Sequence, residues 1–152
     1  MKLSTKGRYG LKAMFDLALL GGEIPVSLTA ISERQHITVN YLEQLIAPLR
    51  KAGLVKSVRG AQGGYLLAKP ASEITVADIL FTLEGSLAPS DCVNDQHEES
   101  CTNADCCVTR MIYEKMRDSI NDVVKSITLQ DMVDDHIQLK SKTKNTNDMF
   151  CL

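Results

Sequence analysis

The segment LVKSVRGAQGGYLLAKP, residues 54–70, restricts the possible folds of this chain more than any other. It contains two short extended runs, Leu54 to Arg59 and Tyr65 to Ala68, separated by a turn rich in glycine. Two such runs around a glycine turn predict a β-hairpin. A basic residue, Arg59, then lies at the tip of that hairpin.

Three helices are predicted before the hairpin. The first extends from about Lys6 to Leu20 and ends at two glycines, and Ser27 can cap a short second helix. Thr38 can cap a third, which ends at Gly53. Its apolar residues repeat at i, i+3, i+4 and i+7, and they are Leu42, Leu45, Ile46 and Leu49. Helix, turn, helix and hairpin is the order of a winged-helix DNA-binding domain.

The second half of the chain is predicted to be helical, apart from one segment that contains cysteines. A helix capped by Thr75 and Asp78 ends at Gly85. A long helix then covers Val108 to Ile127, and Thr128 can cap a short last one. The long helix has a narrow apolar stripe that is typical of packing against a partner helix, formed by Ile112, Met116, Ile120, Val123 and Ile127. We therefore predict a homodimer.

The predicted fold class is mainly α with a small β-hairpin wing, a winged helix-turn-helix joined to a long dimerisation helix. We divide the chain into a winged helix-turn-helix domain, a cysteine-bearing loop, a dimerisation helix with the short terminal helix, and a flexible tail, at residues 1–85, 86–107, 108–135 and 136–152.

Charge is distributed unevenly along the chain. The net charge is −2, yet residues 1–70 contain ten basic and four acidic residues, so the acidic excess lies in the second half. A basic half joined to an acidic half suggests a module that binds a polyanion. No apolar run approaches the roughly 20 residues that a membrane span needs, and the N-terminus lacks the apolar stretch of a signal peptide. We expect a cytoplasmic protein that does not enter a membrane.

Candidate DNA contacts lie on the third helix, on the hairpin and near the N-terminus. Glu43 is the most selective of them, because a carboxylate repels phosphate and accepts only from an exposed amino group such as that of cytosine. Arg59 suits a narrow minor groove. The full predicted set is Lys6, Arg8, Asn40, Tyr41, Glu43, Gln44, Arg59, Gly60, Gly63, Gly64 and Tyr65. The alternatives are that Glu43 is simply solvated and that the glycines serve only the turn.

Four of the five cysteines fall within residues 92–107, and they are Cys92, Cys101, Cys106 and Cys107. In the cytosol thiols stay reduced, so a cluster of cysteines favours metal ligands or redox groups over disulfides. Thiolates are the ligands that iron–sulfur clusters need. Zinc is an alternative, although no Cys-x-x-Cys knuckle is present. Redox-active thiols, or cysteines that hold no metal, are the others.

Several motifs together resemble the IscR family of dimeric winged-helix regulators of iron–sulfur cluster biogenesis. They are LSTKGRYGLKAM, AISERQ, YLEQL, LRKAGLVKSVRGAQGGYLLAKP, the three cysteines and ITLQDMV, within residues 1–135. The resemblance implies a bacterial transcription factor that holds a 2Fe-2S cluster, with 4Fe-4S less favoured, through Cys92, Cys101 and Cys107. It also implies that Glu43 and Gln44 read bases.

The resemblance leaves the fourth cluster ligand open. Arg110 occupies the position, three residues after the last cysteine, where the family has a histidine, and arginine has no lone pair to donate. His97 and Cys106 are the main candidates, followed by Asp105 or a group from the partner subunit.

Two other functions remain open at this point. One is a relative that regulates cysteine or sulfur metabolism without a cluster. The other is an iron–sulfur electron-transfer protein whose basic half docks an acidic partner. The sequence contains no catalytic constellation, so we do not expect an enzyme.

Overall fold

A computed structural model describes residues 2–94 and 104–143 of the chain. The described residues form six α-helices and one antiparallel hairpin, which confirms the predicted fold class. The elements are α1 (Thr5–Leu20), α2 (Leu28–Gln35), α3 (Val39–Lys51), β1 (Val55–Val58), β2 (Gly64–Leu67), α4 (Val76–Glu84), α5 (Val108–Ser126) and α6 (Leu129–Thr143).

Short polar side chains begin the helices where the sequence predicts them. Ser27 accepts a hydrogen bond from the amide of Ala30 at 3.2 Å, and Thr38 accepts one from the amide of Tyr41 at 3.4 Å. These bonds satisfy amides that have no partner within the helix. Between the two helices, His36 ends α2 in the left-handed conformation with φ 53°. The helix-turn-helix is therefore encoded locally.

The core lies between the first four helices and the start of α6. Most of its fully buried apolar side chains come from α1, α2, α3 and α4, together with the first residue of α6, and they include Met14, Ile31, Leu42, Leu45, Leu49, Ile79 and Leu129. The predicted inner face of α3 is thus confirmed. Because Leu129 has no exposed surface, α6 begins inside the same core as the winged helix.

Helices α1 and α4 approach closely at the beginning of α1. One carboxylate oxygen of Glu84 accepts from the Ser4 amide at 3.0 Å, the Ser4 hydroxyl at 2.6 Å and the Gly7 amide at 3.0 Å. A negative charge at this end of a helix also interacts favourably with the helix dipole. The last residue of α4 therefore helps to cap α1.

Two short antiparallel bridges connect segments that are distant in the sequence. Val26, directly before the cap of α2, pairs with Tyr65 of the hairpin through backbone hydrogen bonds of 2.9 and 2.8 Å. Thr75, directly before α4, pairs with Thr128, directly before α6. The first bridge fixes the hairpin to the helix-turn-helix, and the second fixes the α5–α6 junction to α4.

Helix α6 is longer than the sequence predicts. It continues to Thr143, whereas the sequence indicates a short helix followed by a tail from residue 136. Residues 136–143 lack apolar periodicity, but two features favour helix there. The ring of His136 meets that of Phe15 edge-on at 5.4 Å, and Lys140 and Lys142 suit the negative end of the helix dipole. Residues 144–152 of the predicted tail lie outside the described residues.

Candidate DNA-binding surface and cysteine site

Helix α3 presents three of its four predicted base-reading residues to solvent. Asn40, Glu43 and Gln44 are exposed on the side of the helix opposite the core. They are near its N-terminus, the part of a recognition helix that meets base edges in the major groove. The structure therefore places these donors and acceptors together, as direct readout requires.

Tyr41, the fourth of these candidate DNA contacts, is not fully exposed. Its side chain is half-buried, and its ring meets that of Tyr9 of α1 edge-on, with centroids 6.0 Å apart. Aromatic rings favour this edge-on contact because of their quadrupoles. Tyr41 thus helps to hold α3 against α1, and only its exposed part is available to DNA.

The hairpin carries Arg59 and Gly60 at its exposed tip, as predicted. A Cβ added to Gly63 would lie 2.4 Å from the carbonyl oxygen of Val58, so the turn needs a glycine there. Gly64 is constrained differently, since a Cβ would lie 2.5 Å from the carbonyl oxygen of Val26. Both glycines therefore have structural tasks whether or not they contact DNA.

The N-terminal basic residues lie on the first turns of α1. Lys6 and Arg8 are exposed, and the Arg8 guanidinium donates to the Ser4 carbonyl oxygen at 3.4 Å and the Thr5 hydroxyl at 3.3 Å. These bonds leave positive charge at the surface, where it is available to phosphate. Their role in DNA binding remains a prediction.

A buried ion pair fixes α2 against α1. Asp16 is 2% exposed, and its carboxylate accepts from Arg34 at 2.6, 3.0 and 3.2 Å and from the Gln35 amide at 3.2 Å. Its hydrogen bonds raise the pKa of Arg34. Sequence reasoning missed this pair. The available signal was a carboxylate between Phe15 and Leu17 in an otherwise apolar part of α1.

Cys107 directly precedes α5, and its surroundings lower the pKa of its thiol. The thiol sulfur lies 3.1 Å from the Thr109 hydroxyl oxygen. A hydrogen bond from that hydroxyl, followed by one from the Arg110 amide, lowers the pKa of Cys107. A thiolate is the form of cysteine that binds metal. The chemistry of this donor fits a thiolate-ligated centre.

The other described cysteines lie on two short 3₁₀ turns. Cys92 is the middle residue of the turn Asp91–Val93, is half-buried, and has its sulfur 3.3 Å from the Ser90 hydroxyl. Cys106 is exposed at the end of the turn Ala104–Cys106. Within residues 2–94 and 104–143, no three His, Cys, Asp or Glu side chains converge as metal ligands. Two of the predicted ligands, Cys101 and His97, lie outside those residues.

Arg110 pairs with Glu114, one helical turn later, at 3.0 Å. The residue that replaces the family's histidine therefore takes part in a helix-surface ion pair.

Helix α5 leaves much of its apolar stripe uncovered. Ile120, Val124 and Ile127 pack against a buried cluster that includes two residues of α4, Val76 and Leu80. The remaining apolar residues on the helix are between 44% and 72% exposed, and they are Val108, Met111, Ile112, Met116 and Val123. The helix is not a membrane span, because no helix within the described ranges is both long and apolar enough to cross a bilayer.

Comparison with known proteins places this architecture among bacterial regulators. The sequence profile of the Rrf2 family, described as an iron-dependent transcriptional regulator, matches residues 3–135. The chain belongs to the Rrf2 family. It is therefore a DNA-binding transcription regulator, and the resemblance seen in its motifs is confirmed.

Two kinds of relative are similar to this chain. The HTH-type transcriptional regulator IscR of Photorhabdus laumondii is 45% identical over 148 residues, 97% of this chain and 88% of the relative. The HTH-type transcriptional regulator CymR of Bacillus subtilis is 43% identical over 132 residues, 87% of this chain and 89% of the relative.

Solved structures of both kinds share the fold. The structure of T. potens IscR has a TM-score of 0.72 and 47% identity, covering 99% of this chain and 94% of that one. The structure of CymR, described as the global cysteine regulator of B. subtilis, has a TM-score of 0.74 and 42% identity, covering 88% and 97%.

Proposed function

We propose that this Rrf2 protein is a homodimeric, cytoplasmic regulator of iron–sulfur cluster biogenesis genes, and that its affinity for double-stranded operator DNA depends on a cysteine-ligated cluster. The observation that supports the proposal is the position of two candidate ligands, Cys92 and Cys107, beside α5. Cys107 adjoins the first turn of the helix that carries the exposed apolar face, and the turn with Cys92 packs on the same helix. A change at either thiol therefore also affects α5, the helix that forms the proposed subunit interface.

The homodimer is proposed from the exposed apolar face of α5. Side chains such as Met111 and Met116 cost free energy in water, and a second copy of α5 provides an apolar surface of the same kind. We expect Met116→Glu to give monomers in analytical ultracentrifugation. Lys125→Glu is the matched control, because nine residues along a helix place Lys125 on the opposite side from Met116. A dimer that survives Met116→Glu contradicts this interface.

The DNA interface is proposed on α3, the hairpin tip and the first turns of α1. Glu43 is expected to select bases, whereas Lys6, Arg8 and Arg59 add affinity. Glu43→Gln should therefore broaden the range of bound sequences in a selection from random DNA. Lys6→Gln should weaken binding to all sequences alike and reduce the salt dependence. Equal sequence selection by wild type and Glu43→Gln refutes the assigned role.

The cluster is proposed as 2Fe-2S, held by Cys92, Cys101 and Cys107 with His97 or Cys106 as the fourth ligand. When bound, such a centre would make the protein respond to iron and oxidants, because both determine the fraction of the protein that holds a cluster. The chain supplies thiols, and the hydrogen bonds at Cys107 favour its thiolate. Iron and sulfide should be present in anaerobic preparations and absent in Cys92→Ala and Cys107→Ala. Comparing Cys106→Ala with His97→Ala identifies the fourth ligand.

A second candidate is a regulator of cysteine metabolism that uses no cluster. Two observations favour it, the similarity to the cysteine regulator CymR and the presence of Arg110 where a histidine ligand is expected. Operator footprinting separates the two candidates. Unequal protection by wild type and Cys92→Ala supports the cluster, whereas identical protection at every operator, with no iron in the anaerobic protein, supports the second candidate.

A further inference from the structure

We infer that Arg117 is a positioning residue for the cysteine-bearing segment, because it fixes the turn that carries Cys92 to α5. One guanidinium nitrogen of Arg117, Nη1, donates to the carbonyl oxygen of Val93 at 3.1 Å. Val93 directly follows Cys92 and ends the turn Asp91–Val93. The bond therefore connects the middle of α5 to the backbone beside a predicted ligand.

The same turn is also buried against α5. Val93 is 3% exposed, and the turn packs against α5. The turn closes on itself as well, since the Val93 amide donates to the Ser90 carbonyl oxygen at 3.2 Å and the Asn94 amide donates to that of Asp91 at 3.1 Å. A compact turn that is held by backbone hydrogen bonds and has a buried last residue leaves little freedom to the residue in its middle.

Asp118 orients the guanidinium of Arg117. Its carboxylate oxygen lies 2.9 Å from Nε and 2.9 Å from Nη2 of Arg117. Because the guanidinium is planar and rigid, a carboxylate that engages two of its nitrogens fixes the direction of the third. Nη1 is thus directed to Val93, and the arginine side chain is only 22% exposed.

This arrangement places two of the three described thiols beside one helix. Cys107 precedes α5 directly, and Cys92 is attached to α5 through Arg117. The relative positions of the two predicted ligands then follow the geometry of a rigid helix. This part of the inference rests on the proposed cluster, whereas the attachment of the turn does not.

Labelling of thiols in the metal-free, reduced protein tests the attachment. Arg117→Gln removes the donor, and Lys125→Gln makes the same change in charge on an exposed residue of the same helix. Mass spectrometry of peptides after a short iodoacetamide pulse measures each cysteine separately. We expect Cys92 to react roughly tenfold faster in Arg117→Gln, the effect of losing one hydrogen bond from a charged donor on local opening. Cys107 in this variant, and both thiols in Lys125→Gln, should stay within about twofold of wild type.

An unchanged rate at Cys92 in Arg117→Gln, with the helical circular dichroism of wild type, overturns the inference. A general rise at Cys92 and Cys107 alike also overturns it, because it indicates a merely structural role for Arg117. If Arg117→Gln does not fold, Asp118→Asn decides. It keeps the arginine but removes the carboxylate that orients it, so Cys92 should react faster than in wild type, and an equal rate refutes the attachment.

A second measurement separates this inference from the proposed function. In anaerobically reconstituted protein, visible absorption should decay several-fold faster in Arg117→Gln than in wild type and Lys125→Gln. A wild-type protein that takes up no iron refutes the proposed cluster, while the labelling result still decides the role of Arg117. Faster labelling together with an unchanged absorption decay refutes positioning of a cluster ligand.

Discussion

Gly64 is the position where one added methyl group should separate the hairpin from the helix-turn-helix. In Gly64→Ala the new Cβ would lie 2.5 Å from the carbonyl oxygen and 2.7 Å from the carbonyl carbon of Val26. Both are backbone atoms, which cannot rotate away as a side chain does. The bridge between Val26 and Tyr65 must therefore open.

The cost follows from the bonds that the bridge contains. Two backbone hydrogen bonds of 2.9 and 2.8 Å are lost, each contributing about 1 kcal/mol to the free energy of unfolding. Because alanine restricts the unfolded chain more than glycine does, about 0.5 kcal/mol of this loss in the free energy of unfolding is offset. The net loss is about 1.5 kcal/mol, or roughly 4 °C in Tm for a chain of this length.

Urea denaturation followed by circular dichroism measures this loss, at one protein concentration because the stability of the proposed dimer depends on concentration. Ser57→Ala is the matched control. Ser57 is opposite Tyr65 in the hairpin register but is exposed, so its loss should change stability by less than about 0.5 kcal/mol. Operator affinity should also fall in Gly64→Ala at temperatures where it stays folded, because the wing is no longer fixed to α2. A stability within about 0.5 kcal/mol of wild type contradicts the reasoning.

Three further changes test other contacts. Arg34→Ala leaves the buried Asp16 carboxylate without its cation and should lower the free energy of unfolding by about 2 kcal/mol. This is below the usual cost of breaking a buried ion pair, because Arg34 is 36% exposed. A variant as stable as wild type in thermal denaturation counts against the pair. Gly7→Ala should stabilise by about 0.8 kcal/mol only in a Glu84→Ala background, where its Cβ has room; additivity in a double-mutant cycle would falsify the close approach. Hydrogen bonds from the Thr128 amide and hydroxyl lower the pKa of Asp131, so its carboxylate stabilises the fold above its unfolded pKa and loses that effect as pH falls through the folded one. The difference in Tm between wild type and Asp131→Asn should accordingly disappear in acid, and a difference that persists there opposes this account.

Local signals in the sequence were sufficient for the helix-turn-helix and the hairpin. Ser27 and Thr38 cap the helices that they were predicted to cap, and the inner face of α3 follows from its apolar repeat. These features depend on residues within one or two turns of each other, so a pattern along the chain contains them. The glycine turn likewise reflects a backbone requirement that glycine alone meets.

Contacts between distant segments could not be read from such patterns. The pairing of Asp16 with Arg34, and that of Val26 with Tyr65, joins residues whose partners are set by the packing of whole elements. The stripe on α5 shows the same limit. Its period predicted an interface, but only the structure separates Ile120 and Ile127, which pack on α4, from the exposed remainder.

The sequence predicts which residues form the cysteine site, but not how those residues are arranged. The spacing and type of its residues suggested soft-metal chemistry, whereas the favoured thiolate of Cys107 arises from the Thr109 hydroxyl and the start of α5. The attachment of the Cys92 turn to Arg117 also joins positions 24 residues apart. Such a contact has no signature in the sequence alone.

The pairing of Thr75 with Thr128 gives α5 a fixed end. The C-terminal end of the helix is tied to α4 through this bridge, and Cys107 lies at the other end, 19 helical residues away. At 1.5 Å per residue the distance is about 28 Å, so a tilt of about 5° displaces the Cys107 end by roughly 2.5 Å. Helix α5 is therefore anchored at its C-terminal end beside the winged-helix domain, and Cys107 lies at the opposite end, which moves farthest when the helix tilts.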